Sequence, residues 1–84
     1  MVTYEKLLAR ILSGRSNANI NFDELRNLLI RLGFQERVRG SHHIFVRPGV
    51  EELINLQREG KTAKSYQVRQ VRAVITRYKL GGDE

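Results

Sequence analysis

The 84-residue chain contains no cysteine and no long apolar run. The absence of cysteine excludes disulfide bonds and thiolate metal sites, and an intracellular protein is the simple interpretation. No segment approaches the ~20 apolar residues of a membrane-spanning helix. The opening segment MVTYEKLLARIL also lacks the uninterrupted apolar centre of a signal peptide. We therefore expect a cytoplasmic protein with no membrane association.

The short chain limits both domain number and the kind of site. A chain of this length cannot form two parts that each bury a core, so we expect one domain over 1–84. So small a domain has little room for a deep pocket. An open surface site suits a large substrate such as a nucleic acid strand better than a small metabolite.

Acidic residues are too few to balance the basic ones. The formal net charge is +6 and the isoelectric point is near 10.3. Residues 36–80 hold ten basic and four acidic side chains, whereas residues 1–35 hold five and three. The second half therefore carries most of the positive potential, which favours a polyanionic partner such as RNA. The competing interpretation is that these cations are simply solvated.

Apolar periodicity predicts two helices before any strand. Apolar residues spaced three and four apart predict a helix over 4–13, with Thr3 as a candidate N-cap, and a second helix over 22–32. Asn21 is a good N-cap, and Glu24 is placed for a capping box. Gly33 is predicted to end the second helix in a left-handed conformation. The apolar face of the first helix could cover the domain, a second copy or a partner.

From Phe34 onward the apolar period changes from 3.6 to 2. Turn signals at Gly40-Ser41 and 48–49 predict a hairpin with a strand over 42–47, and 53–56 predicts a third strand. Ser65 is a candidate cap for a last helix that ends at Gly81-Gly82. The predicted fold class is α+β: a three-stranded antiparallel sheet with two helices on one face, plus an extra N-terminal helix. The pattern leaves open which sheet face His42 joins.

The runs LLIRLGF and GSHHIF, separated by a polar-rich segment, closely resemble the HicA-type (YcfA-like) mRNA interferase toxins of bacterial toxin-antitoxin pairs. The resemblance covers roughly residues 22–79, and it implies a HicA-like core over 22–79 with the helix at 4–13 as an N-terminal extension. It implies a fold like a double-stranded-RNA-binding domain and RNA cleavage without a metal or other cofactor. It also implies His42 as the catalytic residue and a HicB-type antitoxin as partner. His43 inherits no catalytic role from it.

RNA cleavage requires a proton to leave a 2′-hydroxyl and another to reach the departing 5′-oxygen, and histidine exchanges protons near neutral pH. One histidine cannot do both at once, so a second group or a water is needed. The phosphate needs cations and hydrogen-bond donors. The candidate RNA-binding residues are Arg37, Arg39, Ser41, Arg47, Lys61, Lys64, Arg69 and Arg72.

Simpler interpretations compete with each of these assignments. A strand histidine often only satisfies a local hydrogen bond, and the chain could be a non-catalytic RNA-binding module or a basic adaptor that binds only protein. Adjacent strand residues point to opposite faces, so His42 and His43 cannot bind one metal ion together. Phe45 could stack on a base, but it is expected in the core.

Overall fold

The computed structural model describes residues 4–15, 18–58 and 60–81, and within these ranges it shows three helices and three strands. In chain order they are α1 (Tyr4–Ser13), α2 (Phe22–Arg31), β1 (Gln35–Arg39), β2 (His42–Arg47), β3 (Val50–Gln57) and α3 (Ser65–Arg77). This order confirms the predicted α+β class. None of the described helices is long and apolar enough to cross a membrane.

Both ends of α2 follow the predicted cap chemistry. The Asn21 side chain accepts a hydrogen bond from the Glu24 backbone N–H at 2.9 Å, which satisfies one unpaired donor of the first turn. At the other end Gly33 has φ +100°, and its N–H donates to the Ile30 carbonyl while the Phe34 N–H donates to the Leu29 carbonyl. This pair of bonds is a Schellman motif, and it turns the chain directly into β1.

The three strands form an antiparallel sheet in the order β1-β2-β3. A two-residue turn at Gly40 and Ser41 joins β1 to β2, and Gly40 adopts φ +59° there. The register pairs Arg39 with His42 and Glu36 with Phe45 across the first hairpin. The predicted hairpin and the predicted bounds of β2 are therefore confirmed.

β3 is longer than the sequence predicted, since it runs over 50–57 rather than 53–56. Two adjacent glutamates interrupt the apolar pattern at its start, but backbone pairing with the end of β2 recruits them into the strand. The ladder shifts register between Phe45 and Arg47, which is the mark of a bulge. The Glu52 carboxylate accepts a hydrogen bond from the Tyr78 hydroxyl at 2.6 Å, so this end of the strand is tied to the end of α3.

The helices α2 and α3 cover one face of the sheet, as predicted. Phe45, Ile54 and Leu56 point to that face and are fully buried. They join one hydrophobic cluster with apolar residues of both helices, such as Leu25 and Val71. The core assignment of Phe45 is confirmed. The other side of the sheet, here called the open face, carries Arg37, Arg39, His42, Ile44 and Asn55.

The N-terminal helix α1 packs on the rest of the chain. Its residues Leu7, Leu8 and Ile11 are buried in the same cluster as α2 and α3. Of the three surfaces that this helix could cover, the structure shows the domain itself. The candidate N-cap Thr3 lies outside the described residues.

The bounds of α3 differ from the prediction at both ends. Lys64, not Ser65, is the N-cap, and Ser65 is the first helical residue. The Gln67 side chain, at the third helical position, accepts a hydrogen bond from the Lys64 backbone N–H at 3.3 Å, which is one of the two bonds of a capping box. At the other end the helix stops at Arg77, before Gly81, because Lys79 adopts a left-handed φ of +55°. Gly82 lies outside the described residues.

Candidate functional site

The two histidines of β2 point to opposite faces of the sheet. His42 is exposed on the open face, whereas His43 is only 7% exposed on the helix-covered face. Strand alternation produces this division because successive side chains point to opposite sides. One imidazole is therefore available to solvent and the other belongs to the interior, and the two cannot bind the same ion.

Asn55 is the polar neighbour of the His42 ring. The His42 Nδ1 atom lies 3.4 Å from the Asn55 Oδ1 atom, a long contact between two exposed side chains. If the imidazole donates its Nδ1–H to this oxygen, its Nε2 atom keeps a lone pair that can accept a proton. Arg39 lies directly opposite His42 in the β1–β2 ladder, so its guanidinium is on the same face.

A partly buried ion-pair network holds His43 on the other side of the sheet. Its Nδ1 atom lies 2.6 Å from the Glu36 carboxylate, and the same carboxylate accepts two hydrogen bonds from Arg26 at 2.6 and 2.8 Å. The Arg26 guanidinium lowers the pKa of Glu36 to about 2. Burial acts in the opposite direction, and the hydrogen bond with His43 lowers the pKa further. Glu36 in turn raises the pKa of Arg26 above its usual range. Glu36 is thus a fixed anion that accepts from two partners.

The network continues to the turn that precedes His42. Asp23 accepts hydrogen bonds from both Arg26 and Arg58. These bonds lower the pKa of its carboxyl, and the bond from Arg58 has the larger effect. The Arg58 guanidinium stacks on the Phe22 ring, with Cζ 4.6 Å from the ring centroid. The backbone N–H of Arg58 donates to the Ser41 carbonyl at 2.8 Å. These contacts fix the turn, and so they fix where His42 begins its strand.

A cavity of about 230 Å³ opens beside His42, between β3 and the first turns of α3. Its lining residues are His42, Asn55, Gln57, Tyr66, Gln67 and Gln70. The side chain of Tyr66 is at its rim and 53% exposed, whereas Gln67 is 1% exposed. The candidate catalytic histidine therefore lies at the wall of a small polar cavity.

The structure separates the predicted RNA-binding residues into two groups. Arg37 and Arg39 are exposed on the open face and, within the described residues, neither makes an ion pair. Ser41 is in the turn before His42, and Lys64 caps the helix that lines the cavity. Lys61 is exposed in the loop before α3, and Arg69 is exposed on α3.

The other two predicted RNA-binding residues, Arg47 and Arg72, bond to backbone carbonyls at helix ends. The Arg47 Nε–H donates to the Leu32 carbonyl at 2.8 Å, so this guanidinium closes the end of α2. Five residues of extended strand place it about 16 Å from His42 along β2. Arg72 is half-buried and donates to the Ile11 carbonyl at 3.5 Å, which attaches α3 to α1.

Comparison with known proteins assigns the chain to a family. The family model for the HicA toxin of bacterial toxin-antitoxin systems matches residues 22–76. The chain belongs to the HicA toxin family. Searches of curated proteins and of solved structures find no match. The region that matches the HicA family begins at the first residue of α2 and includes the whole sheet and most of α3, whereas α1 precedes it.

Three residues of this HicA chain that surround the histidines were missed by sequence reasoning. Asn55 beside His42, and Glu36 and Arg26 around His43, are close only because of strand register and helix packing. One sequence signal for Asn55 was available, since it is a polar residue between two apolar ones in a strand. Within the described ranges, no three His, Asp or Glu side chains are grouped to hold a metal ion.

Proposed function

We propose that this chain is an endoribonuclease toxin that cuts mRNA without a metal ion, with His42 as the catalytic residue. The observation that carries the proposal is an exposed imidazole, next to an amide that can orient it, on a sheet face with exposed arginines. The family is the toxin half of bacterial toxin-antitoxin pairs, and that membership supports the proposal.

In the proposed reaction, His42 accepts the proton of a ribose 2′-hydroxyl through Nε2. The 2′-oxygen then bonds to the adjacent phosphorus atom, and the bond from phosphorus to the 5′-oxygen of the next nucleotide breaks. The products are a 2′,3′-cyclic phosphate and a 5′-hydroxyl. Solvent water supplies the proton to the departing oxygen, because His43 is held by Glu36 on the opposite face.

Arg39 is the cation best placed for the charge that develops on the phosphate. It shares a face and a register position with His42, and a guanidinium can donate two parallel hydrogen bonds to phosphate oxygens. Arg37 lies one pleat further along β1 and is assigned to the next phosphate of the strand. Lys61, Lys64 and Arg69 add positive potential on the α3 side of the cavity.

The partner in this proposal is a HicB-type antitoxin that covers the open face. That face combines exposed arginines with apolar side chains, since Leu53 is 57% exposed and Ile44 is partly exposed. An acidic or surface-complementary protein would pair with the arginines and bury the apolar atoms. A neighbouring gene that encodes a small acidic protein with a DNA-binding segment would supply the candidate, and its addition should stop cleavage.

The test is incubation of the purified protein with RNA in excess EDTA, followed by analysis of the fragment ends. Cleavage with 2′,3′-cyclic phosphate ends is the expected result. Retention of intact RNA on the protein, with binding that weakens as salt increases, would instead identify a non-catalytic RNA-binding module. Absence of any salt-dependent association with RNA would indicate an adaptor that binds only protein.

A further inference from the structure

The cavity beside His42 has the chemistry of a nucleobase site. Four of its six lining side chains are carboxamides, from Asn55, Gln57, Gln67 and Gln70, and the other two are the Tyr66 ring and the His42 imidazole. None of these six is an ordinary anion or a permanent cation. A flat heterocycle that carries both hydrogen-bond donors and acceptors would find both kinds of partner among these side chains.

The size of the cavity points to a single ring system. Sites for drug-sized ligands are typically about 300–1,000 Å³, and this cavity is about 230 Å³. It therefore suits one base of a larger polymer. The remainder of such a polymer would lie across the open face, where Arg39 and Arg37 can reach its phosphates.

Two of the four amides are already held in place. The Gln67 side chain caps the Lys64 N–H at 3.3 Å, and the Gln70 Nε2 donates to the Leu53 carbonyl at 3.4 Å. Gln70 therefore presents its carbonyl oxygen from a fixed position. Within the described residues the Gln57 side chain makes no hydrogen bond, so its donor and its acceptor are both available.

Tyr66 supplies the stacking surface. Tyr66 lines the cavity from the first turn of α3, the residue is more than half exposed, and Lys64 Nζ lies 6.0 Å from the ring centroid. Proteins that bind single-stranded RNA commonly stack splayed bases on such exposed aromatic rings and read the base edges with polar side chains. An exposed tyrosine beside fixed amides is the same combination.

We propose that this cavity binds a base of single-stranded RNA adjacent to the scissile phosphate, with Tyr66 stacking on the base and Gln57 and Gln70 contacting its edge. The assignment rests on the proposed function, because His42 is part of the cavity wall and would act on the ribose next to the bound base. It makes Tyr66, Gln57 and Gln70 determinants of where the enzyme cuts.

The experiment first maps the cut sites of the wild-type protein on a natural RNA. A short 2′-O-methyl strand of a cut sequence is then made with one ribonucleotide, so that cleavage is confined to one phosphate. In two further strands the base on the 5′ or the 3′ side of that phosphate is replaced by an abasic unit. The value of kcat/KM is measured for the wild-type protein, Tyr66→Ala and Tyr66→Phe, with Asn27→Ala on the exposed side of α2 as the amide control.

Removal of one of the two bases should lower the wild-type kcat/KM about 5- to 150-fold, because stacking contributes about 1–3 kcal/mol per base. Tyr66→Ala should lower kcat/KM on the intact strand by a similar factor. Removing the same base should then cause no further loss in this variant. Tyr66→Phe, which keeps the ring, should stay within about twofold of the wild type. Gln57→Ala should change which bases flank the cuts in natural RNA, whereas Asn27→Ala should not.

Two results would overturn the base site alone. One is that Tyr66→Ala lowers kcat/KM by the same factor, relative to the wild type, on the intact and the abasic strands. The other is an unchanged rate and cut pattern in the Tyr66 and Gln57 variants. The proposed function would still stand in that case, because the wild-type protein cleaves the intact strand. Failure of the wild-type protein to cut any RNA would overturn both proposals.

Discussion

Arg39 lies directly opposite His42 in the β1–β2 hairpin, so a guanidinium and an imidazole share one accessible face of the sheet. This relationship predicts that Arg39→Ala lowers the cleavage rate about 10- to 100-fold, because a hydrogen bond to a charged group is worth about 1.5–3 kcal/mol. The cleavage rate of Arg39→Lys should fall between those of the wild type and Arg39→Ala, since lysine keeps the charge but not the paired donors. The measurement is the initial rate on one RNA, with the exposed Arg15→Ala as control. Equal rates for Arg39→Ala and Arg15→Ala would remove Arg39 from the site.

Asn55 is predicted to position the His42 ring. Asn55→Ala should lower kcat about 5- to 10-fold, the value of one hydrogen bond, and leave the unfolding midpoint unchanged because the side chain is exposed. Asn55→Asp should favour the charged imidazolium and move the pH-rate profile toward higher pH. The profile separates this role from a purely structural one. An Asn55→Asp profile that coincides with the wild type would contradict it, and Gln35→Ala, on β1, is the control.

The Glu36 carboxylate makes the stability of the fold depend on pH in the acidic range. Its pKa is about 2, below the ordinary 4.5, because Arg26 and His43 stabilise the charged form. The stabilisation is fully present above about pH 4.5 and is lost as the pH falls toward 2, and it is on the order of 3 kcal/mol.

Urea unfolding of the wild-type protein and Glu36→Gln at several pH values between 7 and 2.5 tests this linkage. The gap in unfolding free energy between the two proteins should narrow as the pH falls below 4.5. Glu51 is exposed, so Glu51→Gln is the control, and its unfolding free energy should differ little from that of the wild type. A Glu36→Gln gap that stays constant down to pH 2.5 would show that the ion pair does not stabilise the fold.

Much of this fold follows from local chemistry in the sequence. Asn21, Gly33, Gly40 and the turn at 48–49 mark element ends that depend only on nearby backbone groups, and the structure places those ends as predicted. The start of β3 was missed because its glutamates lack an apolar pattern and are recruited by pairing with β2. The prediction of Ser65 as the cap was wrong because the helix begins at Ser65 itself, with Lys64 as N-cap and the Gln67 side chain accepting from the Lys64 N–H.

The site was less predictable because it depends on contacts between distant segments. The GSHHIF run identified the histidines, but only the register shows that His42 is exposed and His43 buried. The contact between His42 and Asn55 spans thirteen residues of sequence. Arg47 is a predicted phosphate ligand because of its charge, and its bond to the Leu32 carbonyl could not be read from any spacing.

Gly33 is predicted to tolerate alanine poorly. It has φ +100°, and a Cβ there would lie 2.9 Å from Arg47 Nε, which bonds to the Leu32 carbonyl. Gly49 is the matched control, because its φ is +89° and a Cβ there would meet nothing within 4 Å. Gly49→Ala should cost about 1–2 kcal/mol from backbone strain, and Gly33→Ala about 1 kcal/mol more from the lost hydrogen bond.

Chemical denaturation of these variants, repeated in an Arg47→Ala background, isolates the contact behind the Gly33 effect. With the arginine gone, the cost of Gly33→Ala should fall to that of Gly49→Ala. An unchanged difference between the two glycine variants in that background would show that Arg47 is not the cause.

The most direct test of the central claim compares His42→Ala with His43→Ala for RNA cleavage in EDTA and for unfolding free energy. His42→Ala should cut about 10²- to 10⁴-fold more slowly with unchanged stability, because it removes an exposed general base. His43→Ala should lose about 1–3 kcal/mol of stability, because it leaves Glu36 without one buried partner, and should still cut at a comparable rate per folded molecule. Cleavage by His42→Ala at the wild-type rate would contradict the account.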